Sequence, residues 1–535
     1  MRRILPATAV ALCLLAAPAA AAATPPPAGP SAAAAAPMPP PAVLSAPMPL
    51  PVVLSASTHL SVGLSASTAA AGTPSPAVLS TPPAADTTSP LTVPSDLTAT
   101  EVSFRGSGGL AMHGTVLSPA AAKPARPGMV LVHGAGEGPR TKLMGEAVEF
   151  ARRGISVLIY DKRSEGYSLF RRSYSQLADD ALGAVATLRS QPGVDPAKVG
   201  IWGLSEGGWV VPIAAARSKD ISFVVVVGAN GLPPLRQQTW TVAAGLRKAG
   251  VSGSLIDRAE FNLYRAIADG GMFPEPYYDP APTLAAVRQP LLGIWGTHDL
   301  LTPPKESPPI FAEALEKGGN RHYTLRFFPG ADHAAHQTPD GGITRLPELA
   351  PGYADLVGSW IADVTAGRPP TAQISGPAPV QTSLTVPVNP SAWWESAPMQ
   401  LAALVLFVIA FAAYPVVALV RRLRRHSAVP VTRAARLLSA GGLTAVLGSF
   451  SYLFYLVMTG GKLAAPGPVV AERPLIWLAL QVLAWASAVA TVLIALAWRR
   501  AGGSVPRGER VRLGLLLAGG VAFVPWALYW GLLLP

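Results

Sequence analysis

The chain has 535 residues, half of them hydrophobic, and a formal net charge of +12. The length and the uneven distribution of residue types exclude a single domain, and the basic residues form no patches interleaved with aromatic residues, which argues against a nucleic-acid partner. The only cysteine, Cys13, lies in a segment that we expect to be removed, so the mature chain would have no thiol for a disulfide, a metal site or a nucleophile.

The first 98 residues predict a targeting signal followed by a linker. Residues 1–23 begin with Arg2 and Arg3, continue with an apolar run and end in small residues, which is the order of a secretory signal peptide cleaved within 19–24. A membrane anchor is the alternative, but the run is short and a coil of proline and alanine follows it. Residues 24–98 are rich in proline, alanine, serine and threonine, so we expect a disordered linker.

In the next block, residues 99–367, apolar runs alternate with amphipathic helix patterns. This alternation predicts an α/β domain with a mostly parallel sheet and helices on both faces, preceded by an antiparallel pair of strands. Ligands of such sheets bind beyond the carboxyl ends of the strands, so we expect the chemistry in the loops there. The predicted strands are residues 101–105, 110–117, 129–132, 156–160, 199–202, 223–227, 290–295 and 323–328.

A G-x-S-x-G pentapeptide, residues 203–207, stands between a predicted strand and a predicted helix. Glycines in such a sharp turn let strand and helix approach closely, and the turn exposes the central hydroxyl, here that of Ser205. A serine becomes a good nucleophile only when a positioned base takes its proton. Because the chain has 51 glycines, the pentapeptide could also arise by chance, and further residues must support the interpretation.

An acid and a histidine follow later strands in the order that nucleophilic catalysis needs. Asp299 comes after the strand at 290–295, and His333 comes after the strand at 323–328. The order serine, aspartate, histidine differs from that of trypsin-like and subtilisin-like proteases. His336 is a competing candidate for the base, and Asp161 and Asp332 are lesser candidates for the acid.

These motifs together resemble the α/β-hydrolase superfamily, most closely its exported esterases and its dienelactone-hydrolase-like and prolyl-oligopeptidase-like members. The resemblance covers about half of the chain and includes Val130-Leu131-Val132-His133-Gly134, Leu177-Ala178-Asp179-Asp180 and the Gly-Leu-Ser-Glu-Gly-Gly turn. It implies an α/β-hydrolase fold that needs no metal or other cofactor. It further implies Ser205 as nucleophile, His333 as general base, Asp299 as the carboxylate that orients the imidazole, and the backbone N–H groups of Glu206 and Ala135 as oxyanion donors.

Three features beside the motifs affect the expected site. The run Tyr160-Asp161-Lys162-Arg163 is interpreted as pocket floor or structural ion pairs rather than as catalytic groups. Glu206 stands where many relatives have glutamine or methionine, and its carboxylate is expected to disfavour anionic substrates. Residues 232–286 are predicted to form a helical cap, whose aromatic residues either line the substrate site or pack the cap onto the domain.

The C-terminal block predicts a membrane region after a second linker at 368–395. Four uncharged stretches, residues 396–420, 437–458, 474–498 and 513–535, are each long enough to cross a bilayer. Arginines are concentrated between the first two and the last two stretches, which places those loops in the cytoplasm and the α/β domain outside the cytoplasmic membrane. No predicted span contains a charged residue or histidine, which favours anchoring over transport.

The sequence therefore predicts a membrane-anchored, extracytoplasmic serine hydrolase that cleaves small carboxylic esters or thioesters through an acyl-enzyme on Ser205. A serine peptidase of the prolyl-oligopeptidase or aminopeptidase type is the first alternative. A binding or sensory ectodomain on a membrane unit is the second. The sequence specifies neither the substrate nor the oligomeric state.

Overall fold

The computed structural model describes residues 93–121, 125–168, 170–424, 432–458, 466–501 and 507–535. The predicted signal peptide and nearly all of the first predicted linker lie outside these residues. The α/β domain contains the strands β1 (Leu97–Arg105), β2 (Ala111–Pro119), β3 (Arg126–Val132), β4 (Ser156–Tyr160), β5 (Val194–Leu204), β6 (Val224–Val227), β7 (Leu291–Gly296), β8 (Tyr323–Phe328) and β9 (Gln373–Ser375). Its helices are α1 (Met144–Arg152), α2 (Tyr174–Arg189), α3 (Gly207–Arg217), α4 (Pro234–Lys248), α5 (Phe261–Asp269), α6 (Ala281–Ala286), α7 (Ser307–Lys317) and α8 (Tyr353–Thr365).

The nine strands form one sheet in the order β1-β2-β4-β3-β5-β6-β7-β8-β9. The first two pairings, β1 with β2 and β2 with β4, are antiparallel, and all later pairings are parallel. The central strands are continuous apolar runs because helices cover both of their faces. The predicted α/β class, with an antiparallel entry pair and a mostly parallel sheet, is confirmed.

The two faces of the sheet have separate apolar cores. Helices α1 and α8 cover one face, where the indole Nε1 of Trp202 donates a hydrogen bond to the hydroxyl of Tyr353 at 3.0 Å. Helices α2, α3 and α7 cover the other face, against Ile201 and Val226. Adjacent residues of β5 thus point into different cores, as the two-residue period of a strand requires.

Four helices after the α/β domain are long and apolar enough to cross a membrane. They are α9 (Ala397–Leu423), α10 (Arg433–Met458), α11 (Leu475–Ala501) and α12 (Arg507–Tyr529), and a two-residue hairpin of β10 (Val469–Val470) and β11 (Arg473–Pro474) precedes α11. The fourth helix begins and ends earlier than the predicted span at 513–535. Its beginning includes Glu509, whose carboxylate lies 2.6 Å from the guanidinium of Arg421.

A glycine causes the early end of α12. Gly531 has φ 76°, and the N–H groups of Gly531 and Leu532 bond back to the carbonyl oxygens of Leu528 and Ala527. These two bonds are those of a Schellman motif, which ends a helix at a left-handed residue. The chain then turns towards the predicted cap, where the carbonyl oxygen of Pro535 accepts a hydrogen bond from the amide of Ser254 at 3.0 Å.

The predicted cap, residues 232–286, is helical and packs against the membrane helices. Buried cap residues such as Leu246, Leu255 and Tyr264 share one apolar core with Trp477 and Trp530 of the C-terminal region. Polar contacts surround this core. They include a hydrogen bond from the amide of Asn262 to the carbonyl oxygen of Tyr529 and an ion pair of 2.6 Å between Arg265 and Glu395.

The segment predicted as the second linker, 368–395, is mostly exposed but contacts the domain and the cap at several points. Strand β9 pairs with β8 and extends the sheet beyond the predicted end of the domain at 367. Further on, the carbonyl oxygen of Ser383 accepts a hydrogen bond of 2.8 Å from the indole of Trp240. Trp240 and Tyr264 therefore pack the cap against the segment 368–395 and against the bundle formed by α9 to α12. Tyr278 packs against Tyr174 of the domain, with ring centroids 5.4 Å apart.

Candidate active site

The predicted elbow lies between β5 and α3. Ser205 has φ 56°, a left-handed conformation that is costly for a residue with a side chain and that recurs at functional sites. A Cβ atom on Gly203 would lie 2.4 Å from the carbonyl oxygen of Gly207, and one on Gly207 would lie 2.8 Å from that of Val132. Both glycines are therefore required by the close approach of strand, helix and the neighbouring loop. The serine is half-buried at the end of the sheet.

Asp299 and His333 meet at the same edge of the sheet. The Nδ1–H of His333 faces both carboxylate oxygens of Asp299, at 3.0 and 2.9 Å. Asp299 is fully buried, and its Oδ1 also accepts hydrogen bonds from the amides of Leu301 and Thr302, both at 2.8 Å. The carboxylate is thus fixed, and it fixes the tautomer of the imidazole so that Nε2 is left as the acceptor.

The end of β6 brings the histidine next to the serine. The carbonyl oxygen of Val227 accepts a hydrogen bond from the amide of Ser205, and a Cβ atom on the next residue, Gly228, would lie 2.7 Å from Nδ1 of His333. Neither Ser205 Oγ nor the buried His333 Nε2 has a hydrogen-bond partner within the described ranges. Catalytic hydrogen bonds are often long before substrate binds, so this arrangement is compatible with a nucleophile and its base.

The competing candidates are engaged elsewhere. Both ring nitrogens of His336 face acceptors, the carboxylate of Glu146 at 3.2 Å and the carbonyl oxygen of Leu346 at 3.0 Å. Burial disfavours the charge of His336, but Glu146 outweighs burial and raises the pKa. Because both ring nitrogens already have partners, neither is free to take a proton from Ser205. Asp332 accepts from Arg345 at 2.5 Å, and Asp161 accepts from the backbone amide of Arg140 at 2.9 Å.

The two predicted oxyanion donors flank the serine. Glu206 follows it directly, before the first turn of α3, and Ala135 lies in the loop after β3. This loop is close to the elbow, since a Cβ atom on Gly134 would lie 3.3 Å from the Cβ of Ser205. In the described part of the chain, the backbone N–H groups of Glu206 and Ala135 form no hydrogen bond. Both remain available to an oxyanion.

The carboxylate of Glu206 is buried and forms ion pairs, so it is not a free charge next to Ser205. It is 1% exposed and is paired with Lys162 and Arg172, each at 2.5 Å, while the hydroxyl of Tyr167 donates to it at 3.0 Å. The expectation that Glu206 disfavours anionic substrates assumes an unpaired carboxylate, whereas two cations neutralise it. The substrate preference itself stays a prediction. Lys162 belongs to the run interpreted as structural, and the next residue, Arg163, likewise forms a buried ion pair with Asp180 at 2.6 Å.

The same network holds residues 133–136, the predicted oxyanion loop. Lys162 Nζ donates to the carbonyl oxygen of Gly134 at 2.7 Å, and the hydroxyl of Tyr167 accepts from the amide of Gly136 at 2.9 Å. At the start of the loop, His133 donates from Nε2 to the carbonyl oxygen of Tyr160 at 2.7 Å. Burial lowers the pKa of His133 to about 4, so it remains neutral. Sequence reasoning missed Tyr167 and Arg172, which no motif marks.

A pocket of about 380 Å³ opens beside the elbow. It adjoins the oxyanion loop and carries charges of both signs, so it could receive a polar part of a substrate bound at the serine. Across the described ranges, no group of three or more histidine, cysteine or carboxylate residues is placed to hold a metal ion. The pocket is lined by His133, Gly134, Ala135, Glu137, Lys142, Leu143, Gly145, Glu146, Leu204, His336 and Arg345.

Known proteins resemble the α/β domain. The model of the prolyl oligopeptidase family matches residues 147–346, which include Ser205, Asp299 and His333. Thiohydrolase aneE of Aspergillus aculeatus is 33% identical over 134 residues, which are 24% of this chain and 41% of that protein. Polyketide transferase claH of Penicillium crustosum is 40% identical over 86 residues, which are 15% of this chain and 28% of that protein.

Among solved structures, one of two fungal esterases from Rhizomucor miehei has a TM-score of 0.37 and 18% identity, and the match covers 51% of this chain and 84% of the esterase. The chain thus spans less than half the length of each of the two curated relatives. The match to the esterase covers about half of this chain.

Proposed function

Because the α/β domain of this chain belongs to the α/β-hydrolase superfamily, we propose that the protein is a membrane-anchored serine hydrolase that cleaves carboxylic esters or thioesters. The observation that carries the proposal is His333, whose Nδ1 is held by the buried Asp299 and whose Nε2 has no partner, at the sheet edge where Ser205 has a left-handed backbone. A base with a fixed tautomer and an unoccupied acceptor atom is what a serine nucleophile requires.

In the proposed reaction, Ser205 Oγ attacks the carbonyl carbon while His333 Nε2 takes the hydroxyl proton. The amides of Glu206 and Ala135 stabilise the negative charge on the carbonyl oxygen. His333 then returns the proton to the leaving alcohol or thiol, and the acyl group stays on the serine. A water molecule, activated by the same Nε2, attacks the acyl-enzyme and releases the carboxylic acid and free Ser205.

The ester class is supported by the name of one relative, a thiohydrolase. A second candidate, a serine peptidase, is supported by the match to the prolyl oligopeptidase family. A panel of acyl esters, acyl thioesters, aminoacyl amides and prolyl amides separates the two, since amide cleavage needs stronger protonation of the leaving group. Turnover of esters or thioesters that exceeds amide turnover at least about a hundredfold supports the proposal. The reverse preference would assign a peptidase.

The nucleophile is tested in the full chain with a fluorophosphonate probe. The unchanged protein should be labelled, and Ser205→Ala should lose both labelling and ester hydrolysis. Ser190→Ala, at an exposed position of the same domain, is the matched control and should keep both. Labelling of Ser205→Ala at the rate of the control would exclude Ser205 as the nucleophile. If neither the unchanged protein nor the control is labelled or active, the domain is a binding or sensory ectodomain instead.

We further propose that the α/β domain lies outside the cytoplasmic membrane, as the arginine-rich segments between α9 and α10 and between α11 and α12 suggest. The test uses Cys13→Ala as background and a maleimide that does not cross membranes. Ser190→Cys should react on intact cells, and Ser427→Cys should react only after permeabilisation. Reaction of Ser427→Cys on intact cells would place the domain on the other side.

A further inference from the structure

The cap contains a second cavity that the proposed hydrolase reaction does not use. Its volume is about 200 Å³, and it lies between α4, the turn at residues 255–260 and the segment around residues 384–386. Its lining includes no residue of the elbow, the oxyanion loop or the Asp299–His333 pair. The lining residues are Thr239, Trp240, Ala243, Arg247, Ile256, Asp257, Glu260, Phe261, Leu384 and Val386.

A buried carboxyl group lines this cavity. Glu260 is the last residue of a π-helical turn, Leu255–Glu260, a conformation that is rare and is often found at functional sites. Its side chain is 3% exposed, and its Oε1 has no hydrogen-bond partner. Burial raises the pKa of Glu260 well above its ordinary value. A buried polar group without a partner is costly, so its presence in a cavity wall calls for a ligand.

In the described part of the chain, Oε1 of Glu260 has no hydrogen-bond partner, and Arg247 acts on this carboxyl group only through its charge. Arg247, the cavity's only basic lining residue, is 3.7 Å from Asp257 and donates to Ser383 Oγ at 3.2 Å. Burial disfavours the ionised form of Glu260, so this form needs a cation beside it. When Glu260 is ionised, the lining has two negative charges and one positive charge. Apolar and aromatic side chains form most of the rest of the wall, with Trp240 and Phe261 on adjacent helices.

We propose that this cavity binds an organic cation, an ammonium group with small apolar substituents. The ammonium group would supply the missing positive partner of Glu260 in a site of low polarity, where such a pair is strong. Trp240 and Phe261 line the cavity, and aromatic rings attract ammonium groups through cation–π interactions. The guanidinium of Arg265 already lies 5.9 Å from the centre of the Phe261 ring, so Trp240 is the main aromatic contact for the ligand, and the apolar wall accepts its substituents. A metal cation is a poorer fit, because the wall offers too few oxygen atoms to replace its hydration shell. The site is independent of the hydrolase reaction.

The binding test uses the full chain in a nonionic detergent and titrates tetramethylammonium chloride against sodium chloride at equal ionic strength. Isothermal titration calorimetry should give saturable binding of tetramethylammonium and none of sodium. Glu260→Gln should weaken binding by about tenfold or more, because the charge is lost while the shape is kept. Glu313→Gln, at an exposed position outside the cavity, is the matched control and should bind as the unchanged protein does.

A second variant distinguishes a loss of binding from a folding defect caused by Glu260→Gln. Leu384 is 67% exposed at the edge of the cavity, so Leu384→Trp should narrow the cavity with little effect on the core and should also weaken binding. Absence of saturable tetramethylammonium binding would overturn the proposal. So would unchanged affinity in both Glu260→Gln and Leu384→Trp.

The same ammonium chemistry occurs in free small amines and in the headgroups of choline lipids. Nanodiscs distinguish the two sources, since phosphatidylcholine should compete with tetramethylammonium if the headgroup is the natural ligand, and phosphatidylglycerol should not. Equal affinity in both nanodiscs supports a soluble amine. Binding is read out without a substrate, so failure of the hydrolase proposal would leave this test intact.

Discussion

At the scale of single residues, the candidate site consists of side chains that lie directly after apolar strands. Ser205, Asp299 and His333 each follow a strand end, where their residue types have a specific chemical meaning, and this is why the sequence alone could predict them. The network around Glu206 could not be predicted in the same way. Arg172 and Tyr167 lie in an irregular segment without periodicity, and only the path of that segment brings them to the carboxylate.

The Asp299–His333 pair leads to a prediction for catalysis. Asp299→Asn keeps an acceptor for the amides of Leu301 and Thr302 but can no longer fix the imidazole tautomer as a carboxylate does. We expect kcat for an activated ester to fall by about 10³- to 10⁴-fold, the scale seen when a triad carboxylate is replaced. Asp332→Asn is the control and should reduce kcat far less, because Asp332 pairs with Arg345. Equal losses in the two variants would contradict the assignment.

His336 gives a prediction for the pH dependence of stability. Its pKa in the folded protein is raised above the ordinary value of 6.5, so the folded state binds the proton more tightly than the unfolded state. The stabilisation is fully present below the unfolded pKa and is lost as pH rises through the folded pKa. The difference in unfolding free energy between the unchanged protein and His336→Gln should therefore shrink from pH 6 upwards. A difference that stays constant or grows with pH would show that Glu146 does not favour the charged form.

At the scale of secondary-structure elements, the cap differs most from the expectation. The apolar faces of α4 and α5 could be recognised in the sequence as faces that need covering, but a helical pattern does not specify its partner. The partner is a set of membrane helices more than a hundred residues away. The fourth span was predicted to begin and end later in the chain than α12 does, for a related reason. A hydropathy pattern reads residues 513–535 as one apolar run, whereas the backbone of Gly531 ends the helix within it.

The contact between cap and bundle can be tested through its ion pair. Arg265 and Glu395 are each about seven-eighths buried and 2.6 Å apart. Arg265→Glu and Glu395→Arg should each destabilise the protein in thermal unfolding, and the double variant should regain part of the loss. We expect an interaction free energy of about 1 to 2 kcal/mol from this double-mutant cycle. Strictly additive effects would mean that the two charges do not stabilise the docked cap.

At the scale of the whole molecule, the α/β domain and the membrane region are not separable units. A fragment of residues 93–390 would leave the cap without Trp477, Trp530 and the rest of the core they share. Exposed apolar surface of this kind causes self-association. In size-exclusion chromatography without detergent, we expect this fragment to aggregate and to bind a hydrophobic dye, and addition of nonionic detergent should reverse both effects. A monodisperse fragment without dye binding would show that the cap folds back onto its own domain.

A domain joined to a membrane by a flexible linker samples many orientations. Here the cap belongs both to the domain that carries Ser205 and to the core that it shares with the four C-terminal helices, and Trp240 and Arg265 of the cap contact the segment between them. If the four helices cross a bilayer as we propose, this shared core restricts the directions in which Ser205 can face relative to the bilayer plane. A substrate of the proposed hydrolase would then reach Ser205 from a restricted range of directions, and the four helices would orient the domain as well as anchor it.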